Sequence, residues 1–319
     1  MTCDVVCIGE ALIDLVPTEP DVALADASSF RKAAGGAPAN VAVGLARLGA
    51  ASGFIGMVGD DPFGEHLVRI LAAAGVEVTA MRRSSESLTS LAFVSPARDR
   101  GDDFLFYRQP GADTLLSMEH IDEHLVSRAR IVHFGSIGLI DEPSRSATLH
   151  AIHLARQSRC RLSCDVNLRL RLWPGPDAAR AGLGLALRNA NIVKLSDAEL
   201  EFVCGTRDPL IGMRGLWHDQ LELAVVTHGE NGCTWISRDS AQHVESFDVD
   251  SVDPTGAGDG FTAGLLARIV DNPTCVNDPD ETSMACRFAN AVGALTVAGW
   301  GCIPALPVRE DVERLMNET

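Results

Sequence analysis

Asp253-Pro254-Thr255-Gly256-Ala257-Gly258-Asp259-Gly260-Phe261 is the stretch on which the reading of this 319-residue chain turns. Gly256, Ala257 and Gly258 have little or no side chain, so three consecutive backbone N–H groups can approach a ligand closely and point the same way. Phe261, Leu265 and Ile269 follow at i, i+4 and i+8, with Leu266 and Val270 beside them. That spacing predicts a helix over 256–270. Small residues at a helix N-terminus form an anion site, because orphan N–H donors and the positive end of the helix dipole coincide there. The Asp259 carboxylate would then stand beside the anion without a cation to neutralise. The economical reading is a base that takes a proton from a hydroxyl while the N–H groups hold the phosphoryl group under attack.

Composition narrows the partners. A formal net charge of -16 argues against nucleic acid and anionic membranes, both of which need a positive footprint. Lys32 and Lys194 are the only lysines, so there is no Gly-Lys pair and no Walker A loop; any use of ATP needs another architecture. Nine cysteines without a C-x-x-C suggest a reducing cytoplasm, not a disulfide framework. No basic-then-apolar leader and no apolar stretch long enough for a bilayer is visible.

Working outward, short apolar runs alternate with helical patterns. Strands are predicted at 5–9, 53–58, 131–135, 162–166, 192–195 and 223–227, and helices at 38–48, 62–74, 143–159, 177–189, 256–270 and 282–298. The alternation implies an α/β fold whose mostly parallel sheet is covered on both faces, with ligands beyond the carboxyl ends of the strands. Segments 12–16, 90–94 and 104–108 break that rhythm, the last two joined by a polar turn at 97–102. They are expected to pair into a small second sheet, a lid that keeps water from the reaction. Residues 309–319 read as a polar helix or a frayed tail.

Other constellations carry two readings each. Gly35-Gly36-Ala37-Pro38-Ala39-Asn40 precedes a helical face of Val41, Leu45 and Leu48. Its glycines allow close approach and Asn40 offers a donor and an acceptor to a polyol, or the run is a tight turn. Asp14, after a strand and a turn, could accept from two sugar hydroxyls or be a solvated loop residue. Tyr107 and Arg108 lie on the lid-like strand, and Asn167 and Arg169 follow another strand; arginines suit phosphate or carboxylate. Ser196 and Glu199 have the spacing of a capping box, while a functional reading puts Glu199 near magnesium-bound water and Lys194 near phosphate. Thr227, Gly229 and Gly232 could line a nucleotide pocket or make a hairpin turn. His120, Glu123 and His124 match a zinc-hydrolase pattern, but a solvated helix face is the better reading.

Together, chiefly through 253–261 and 35–40, the chain resembles the ribokinase-like carbohydrate kinases of the phosphofructokinase B type. The resemblance covers nearly the whole chain. It implies one domain over 1–319, a three-layer α/β/α core with lid segments near 10–34 and 88–110, and ATP-dependent phosphorylation of a sugar's primary hydroxyl. It implies Asp259 as base, Gly256, Ala257 and Gly258 as anion hole, and Asp14, Gly36 and Asn40 as sugar ligands. It further implies magnesium with the nucleotide, a potassium site from Asp253, Thr255, Thr296, Gly299 and Gly301, and Asn290 near the adenine. Phe106-Tyr107-Arg108, Ala112-Asp113, 165–169 and Lys194-Leu195-Ser196-Asp197 look like the fructokinase branch.

Fructose is therefore the expected acceptor, with a carboxylated sugar such as 2-keto-3-deoxygluconate as the rival, since it would favour Arg108 and Arg169. A catalytically silent sugar-binding protein is the alternative of another class. A nicotinamide-dependent oxidoreductase lacks its G-x-G-x-x-G after the first strand. Strand edges in the lid suggest a homodimer.

Overall fold

The computed structural model describes residues 3–19, 22–95 and 103–318. The turn expected at 97–102 lies outside the described residues. Strands β1 (Val5–Ile8), β2 (Leu12–Pro17), β3 (Phe30–Gly35), β4 (Ser52–Gly59), β5 (Met81–Ser84), β6 (Leu91–Ser95) and β7 (Asp103–Tyr107) come from the first third. After them come β8 (Ile131–Gly135), β9 (Arg161–Asp165), β10 (Ile192–Ser196), β11 (Leu223–Thr227), β12 (Cys233–Ile236) and β13 (Ala241–Val244).

Nine strands form one sheet in the order β13-β12-β11-β10-β9-β8-β1-β4-β5. Pairing is parallel from β5 through β11 and antiparallel at β12 and β13. The central strands are apolar on both faces because helices cover both. Along β1, Val5 and Cys7 join one core, which the helices Ala37–Arg47, Ala257–Asp271 and Pro279–Val297 close. Val6 and Ile8 point the other way, into a core shared with Ser144–Gln157 and Pro176–Leu187. This is the three-layer α/β/α arrangement.

The predicted parallel strands and long helices fall within a few residues of their expected places, because a strand buried on both faces and an amphipathic helix each leave a periodic signature. Residues 309–318 are helical, as one of the two readings had it. β3, β5, β12 and β13 are not among the expected strands. β3 reads Phe-Arg-Lys-Ala-Ala-Gly and β13 Ala-Gln-His-Val, with neither periodicity nor apolar density.

A second sheet has the order β3-β2-β6-β7, with β2 and β6 parallel and the outer pairs antiparallel. Leu12, Ala92 and Val94, with Phe104 and Phe106 against them, make its inner apolar face. At β1 the strand order reverses, since the chain continues to β4 on one side and β8 on the other. Such a reversal opens a crevice at the carboxyl edge, and the small sheet lies over it.

Candidate active site

Helix Ala257–Asp271 begins at Gly256, whose φ of 85° is left-handed and whose missing Cβ leaves room for the Cys302 thiol. No side chain caps this end. The first-turn N–H groups therefore have no partner one turn back, and Ala257 makes only a 3.4 Å bond to the Pro254 carbonyl. Helix Ala37–Arg47 begins in the same manner at Gly36, φ 102°, where a Cβ would stand 2.4 Å from the Glu10 carbonyl oxygen. Two helix N-termini thus open onto one space.

That space is a cavity of about 290 Å³ whose walls include Asp14, Gly36, Asn40, Asn167, Arg169, Lys194, Thr255 and the run 256–259. Leu12, Ala92, Val94, Phe104 and Phe106 of the small sheet roof it. A second cavity, about 660 Å³, is lined by Thr227, Gly229, Gly232, Phe247, Phe261 and Asn290. Pro254, Ala257 and Gly258 line both. The two spaces therefore meet at the glycine-rich helix start, the smaller holding Asp14, Asn40 and Asp259, the larger lined by Thr227, Phe247 and Asn290.

Asp259 is buried, and Asn40 Nδ2 donates to its Oδ2 at 2.8 Å. Burial pushes its carboxyl up to about 6; the Asn40 hydrogen bond, Lys194 and Arg169 pull against that, and Asp165 adds to it. Asp14 is driven up to about 7 by burial, with Asp259 and Asp253 adding to the rise and Arg169 opposing it. Glu10 rises to about 7, again mainly by burial. Its Oε1 accepts from Ala37 N–H at 3.1 Å, which ties β1 to the Gly36 turn. Carboxylates held near neutral pH in a cleft are a mark of acid–base sites. Glu10 was not among the expected residues; the buried acid after a central strand was its only trace in the sequence.

Several expected residues have other work. Gly35 does not line the cavity; a Cβ there would fall 2.0 Å from Asp14 Oδ2, so Gly35 makes room for that carboxylate. Tyr107 is 61% exposed and packs on Phe93 outside the cavity. Arg108 corrects the expectation of a free anion ligand: it is buried, and its guanidinium is bound by Asp113 at 2.7 Å and Asp141 at 3.1 Å. Arg169 does line the cavity, near the Phe104 ring.

Ser196 and Glu199 form the capping box, with Ser196 N–H donating to Glu199 Oε2 at 2.7 Å and Leu168 N–H to Oε1 at 2.7 Å. Neither lines either cavity. Thr227, Gly229 and Gly232 form the β11–β12 turn and line the larger cavity. Asn290 Nδ2 donates to the carbonyls of Val244 and Glu245 at 3.0 Å, holding that cavity's rim.

Asp253 accepts from Thr255 N–H and Gly301 N–H, both at 2.9 Å. Gly299 N–H reaches the Thr296 carbonyl at 3.4 Å in the neighbouring turn. Of the five residues expected around a monovalent cation, Asp253 and Thr255 share one turn, Gly299 and Gly301 another that the Asp253 carboxylate joins to it, and Thr296 lies in the last turn of helix Pro279–Val297 beside them. His120, Glu123 and His124 do not converge: His120 Nδ1 accepts from Ser117 N–H, Glu123 pairs with His150, and His124 with Arg128. Among the described residues no group of three His, Cys, Asp or Glu side chains could hold a metal ion, and no helix is long and apolar enough to cross a membrane.

Comparison with known proteins points to one family. Residues 3–309 match the family model described as pfkB family carbohydrate kinase. The chain is 45% identical over 318 residues to probable fructokinase-7 of Arabidopsis thaliana, covering 99% of this chain and 93% of that one. A fructokinase with bound ATP from Xylella fastidiosa superposes with a TM-score of 0.90 at 34% identity over 98% of both chains. A fructokinase from Vibrio cholerae O395, solved with fructose, ADP and calcium ion bound, gives 0.88 at 32% identity, again over 98% of both.

Proposed function

The chain belongs to the pfkB family of carbohydrate kinases, and from that footing we propose that it transfers the γ-phosphoryl group of ATP to the primary hydroxyl of D-fructose, giving fructose 6-phosphate. One observation carries this reading: a small cavity and a larger one share only the helix start at Pro254, Ala257 and Gly258, with Asp259, Asp14 and Asn40 all in the smaller. The sugar occupies the first and the nucleotide the second, so donor and acceptor meet at the N–H cradle.

In this mechanism Asp259 takes the proton from the attacking hydroxyl. Its Oδ2 is held by Asn40, which leaves Oδ1 for the proton. The N–H groups of Gly256, Ala257 and Gly258 hold charge on the transferred oxygens, the kind of positioning that phosphoryl transfer chiefly needs. Asp14, Gly36, Asn40, Asn167 and Arg169 hold the sugar, and Gly35 acts through Asp14. Lys194 serves the phosphates, and Thr227, Gly229, Gly232 and Asn290 the nucleotide. The small sheet, with the segments near 10–34 and 88–110, acts as the lid of a single domain, its apolar roof excluding water.

Magnesium, when bound with ATP, neutralises donor phosphate charge. Glu199, whose two oxygens each accept a backbone N–H, would reach it through water. Ser196 supports that carboxylate as its capping partner. For potassium, the Asp253 carboxylate retains acceptor capacity beyond its two hydrogen bonds and, with carbonyls of Thr255, Thr296, Gly299 and Gly301, offers an all-oxygen donor set. All nine cysteines are free, which fits a reducing compartment such as the cytoplasm. Exposed Leu105 and Tyr107 on β7 support the expectation of a homodimer through the small sheet.

The testing experiment is a panel of sugars with coupled ADP detection, run with and without potassium. Fructose should have the highest kcat/KM. A preference for 2-keto-3-deoxygluconate would overturn the substrate, a reading already weakened by the engagement of Arg108 with two aspartates. Sugar binding by calorimetry without any ADP would overturn the activity.

A further inference from the structure

Asp165 and Thr262 have no part in the mechanism above, yet both are buried; Asp165 binds Lys194, and Thr262 binds Asp165. Asp165 and Lys194 are register partners on the parallel strands β9 and β10, so their side chains leave the same face of the sheet. Lys194 Nζ lies 3.2 Å and 3.1 Å from the two Asp165 oxygens. Thr262 Oγ1 donates to Asp165 Oδ2 at 3.0 Å. Thr262 is four residues after Gly258, on the same helix face. A Cβ on Gly258 would stand 2.7 Å from Lys194 Nζ. The ammonium therefore rests directly against the first turn of helix Ala257–Asp271.

A cation at the positive end of a helix dipole is electrostatically misplaced unless an anion is brought there. Asp165 offsets part of that cost in the free protein; a phosphoryl group would offset the rest. We propose that Asp165 and Thr262 are positioning residues that fix the Lys194 ammonium against Gly258, where it faces the charge gathering on the transferred phosphoryl oxygens. This inference rests on the phosphoryl-transfer reading. Lys194 stays protonated despite burial, since Asp165, Glu199 and Asp259 hold it upward. His133, on the neighbouring strand β8, is driven down to about 3 by burial and by Lys194, so it adds no competing charge. Thr262 holds Asp165 at Oδ2, which keeps the carboxylate from rotating with the flexible lysine.

The test uses Thr262→Val, Thr262→Ser and Asp165→Asn in the full chain. Thr262→Val should lower kcat about three- to tenfold with sugar KM within about twofold, and Thr262→Ser should restore it. Because Lys32 and Lys194 are the only lysines and Lys32 is exposed, ¹³Cε-lysine NMR without substrate resolves Lys194. Its signal should move in Asp165→Asn and, by less, in Thr262→Val. A Lys194 signal unchanged in both variants overturns the proposal, as does an unchanged kcat in Thr262→Val or a loss confined to sugar KM. Recovery of Asp165→Asn by excess magnesium overturns it too, since Asp165 would then act on the metal. If the wild-type protein phosphorylates no sugar, the kinase reading falls, while the NMR still decides whether these residues hold Lys194.

Discussion

The amide of Asn40 donates to Oδ2 of Asp259 at 2.8 Å, across 219 residues of sequence, and so joins two helix starts that each begin at a left-handed glycine. One oxygen of the carboxylate is fixed and the other is left to face the acceptor. This single bond sets both the aim of the proposed base and part of its proton affinity.

Asp259→Asn removes the base but keeps the shape. It should lower kcat by at least about 10²-fold with a modest change in sugar KM. Steady-state kinetics check this, and near wild-type turnover would remove Asp259 from the role.

The pH profile follows from the same group. Asp259 must be ionised to take a proton, and its folded value is about 6, so kcat/KM should fall as pH drops through that region. Asn40 stabilises the ionised form. Asn40→Ala should therefore move the acidic limb to higher pH, besides weakening the sugar. A limb left in place would separate Asn40 from the titration. Because Asp14 also lies near 7, an Asp14→Asn control identifies its share.

Stability should run against activity. Asp259 is raised from 3.8 to about 6, so between those values the folded state binds more protons than the unfolded one and stability falls as pH rises. The ionised side chain costs folding on the order of 3 kcal/mol at neutral pH, at 1.36 kcal/mol per unit, and nothing below about pH 4. Asp259→Asn should thus have a higher Tm than wild type at pH 7.5, with the gain shrinking toward pH 4. Equal melting at both pH values would contradict the buried, raised carboxyl.

Gly256 and Gly258 should respond differently to alanine. At Gly256 a methyl would lie 2.1 Å from the Cys302 thiol on a left-handed backbone, so Gly256→Ala should lower Tm by several degrees. At Gly258 it meets the end of Lys194, which Asp165 holds, on an ordinary helical backbone. Gly258→Ala should therefore lower Tm less than Gly256→Ala yet lose at least about tenfold in kcat. Thermal melts and kinetics on the pair decide this, and matching behaviour would mean the cradle is only structural.

Arg108→Ala should destabilise, not change sugar specificity. It leaves Asp113, whose side chain is 3% exposed, with the Ser90 hydroxyl but no counter-charge, and breaking a buried pair this way costs about 3–5 kcal/mol. Denaturant melts should show that loss. A rise in sugar KM at unaltered stability would instead return Arg108 to the pocket.

The α/β layering and the side-chain-free helix start are written in the chain itself. Strands buried on both faces leave unbroken apolar runs, helices leave a 3.6-residue period, and Gly256-Ala257-Gly258-Asp259 carries its geometry in its lack of side chains. Asp14, Asn40 and Asp259 were legible because each sits next to such a local mark. Which charge meets which is settled by packing alone. Arg108 and Arg169 look alike in the chain, yet one is consumed by Asp113 and Asp141 while the other faces the cavity. The Ser196–Glu199 cap is written in the spacing of the chain, but the bond from Leu168 N–H to Glu199 Oε1 across 31 residues is not. Asp165 and Thr262 are 97 residues apart and meet only because strand β9 and helix Ala257–Asp271 pack together. Local backbone preference is written residue by residue, whereas electrostatic partners are chosen by through-space distance, which a linear sequence does not contain.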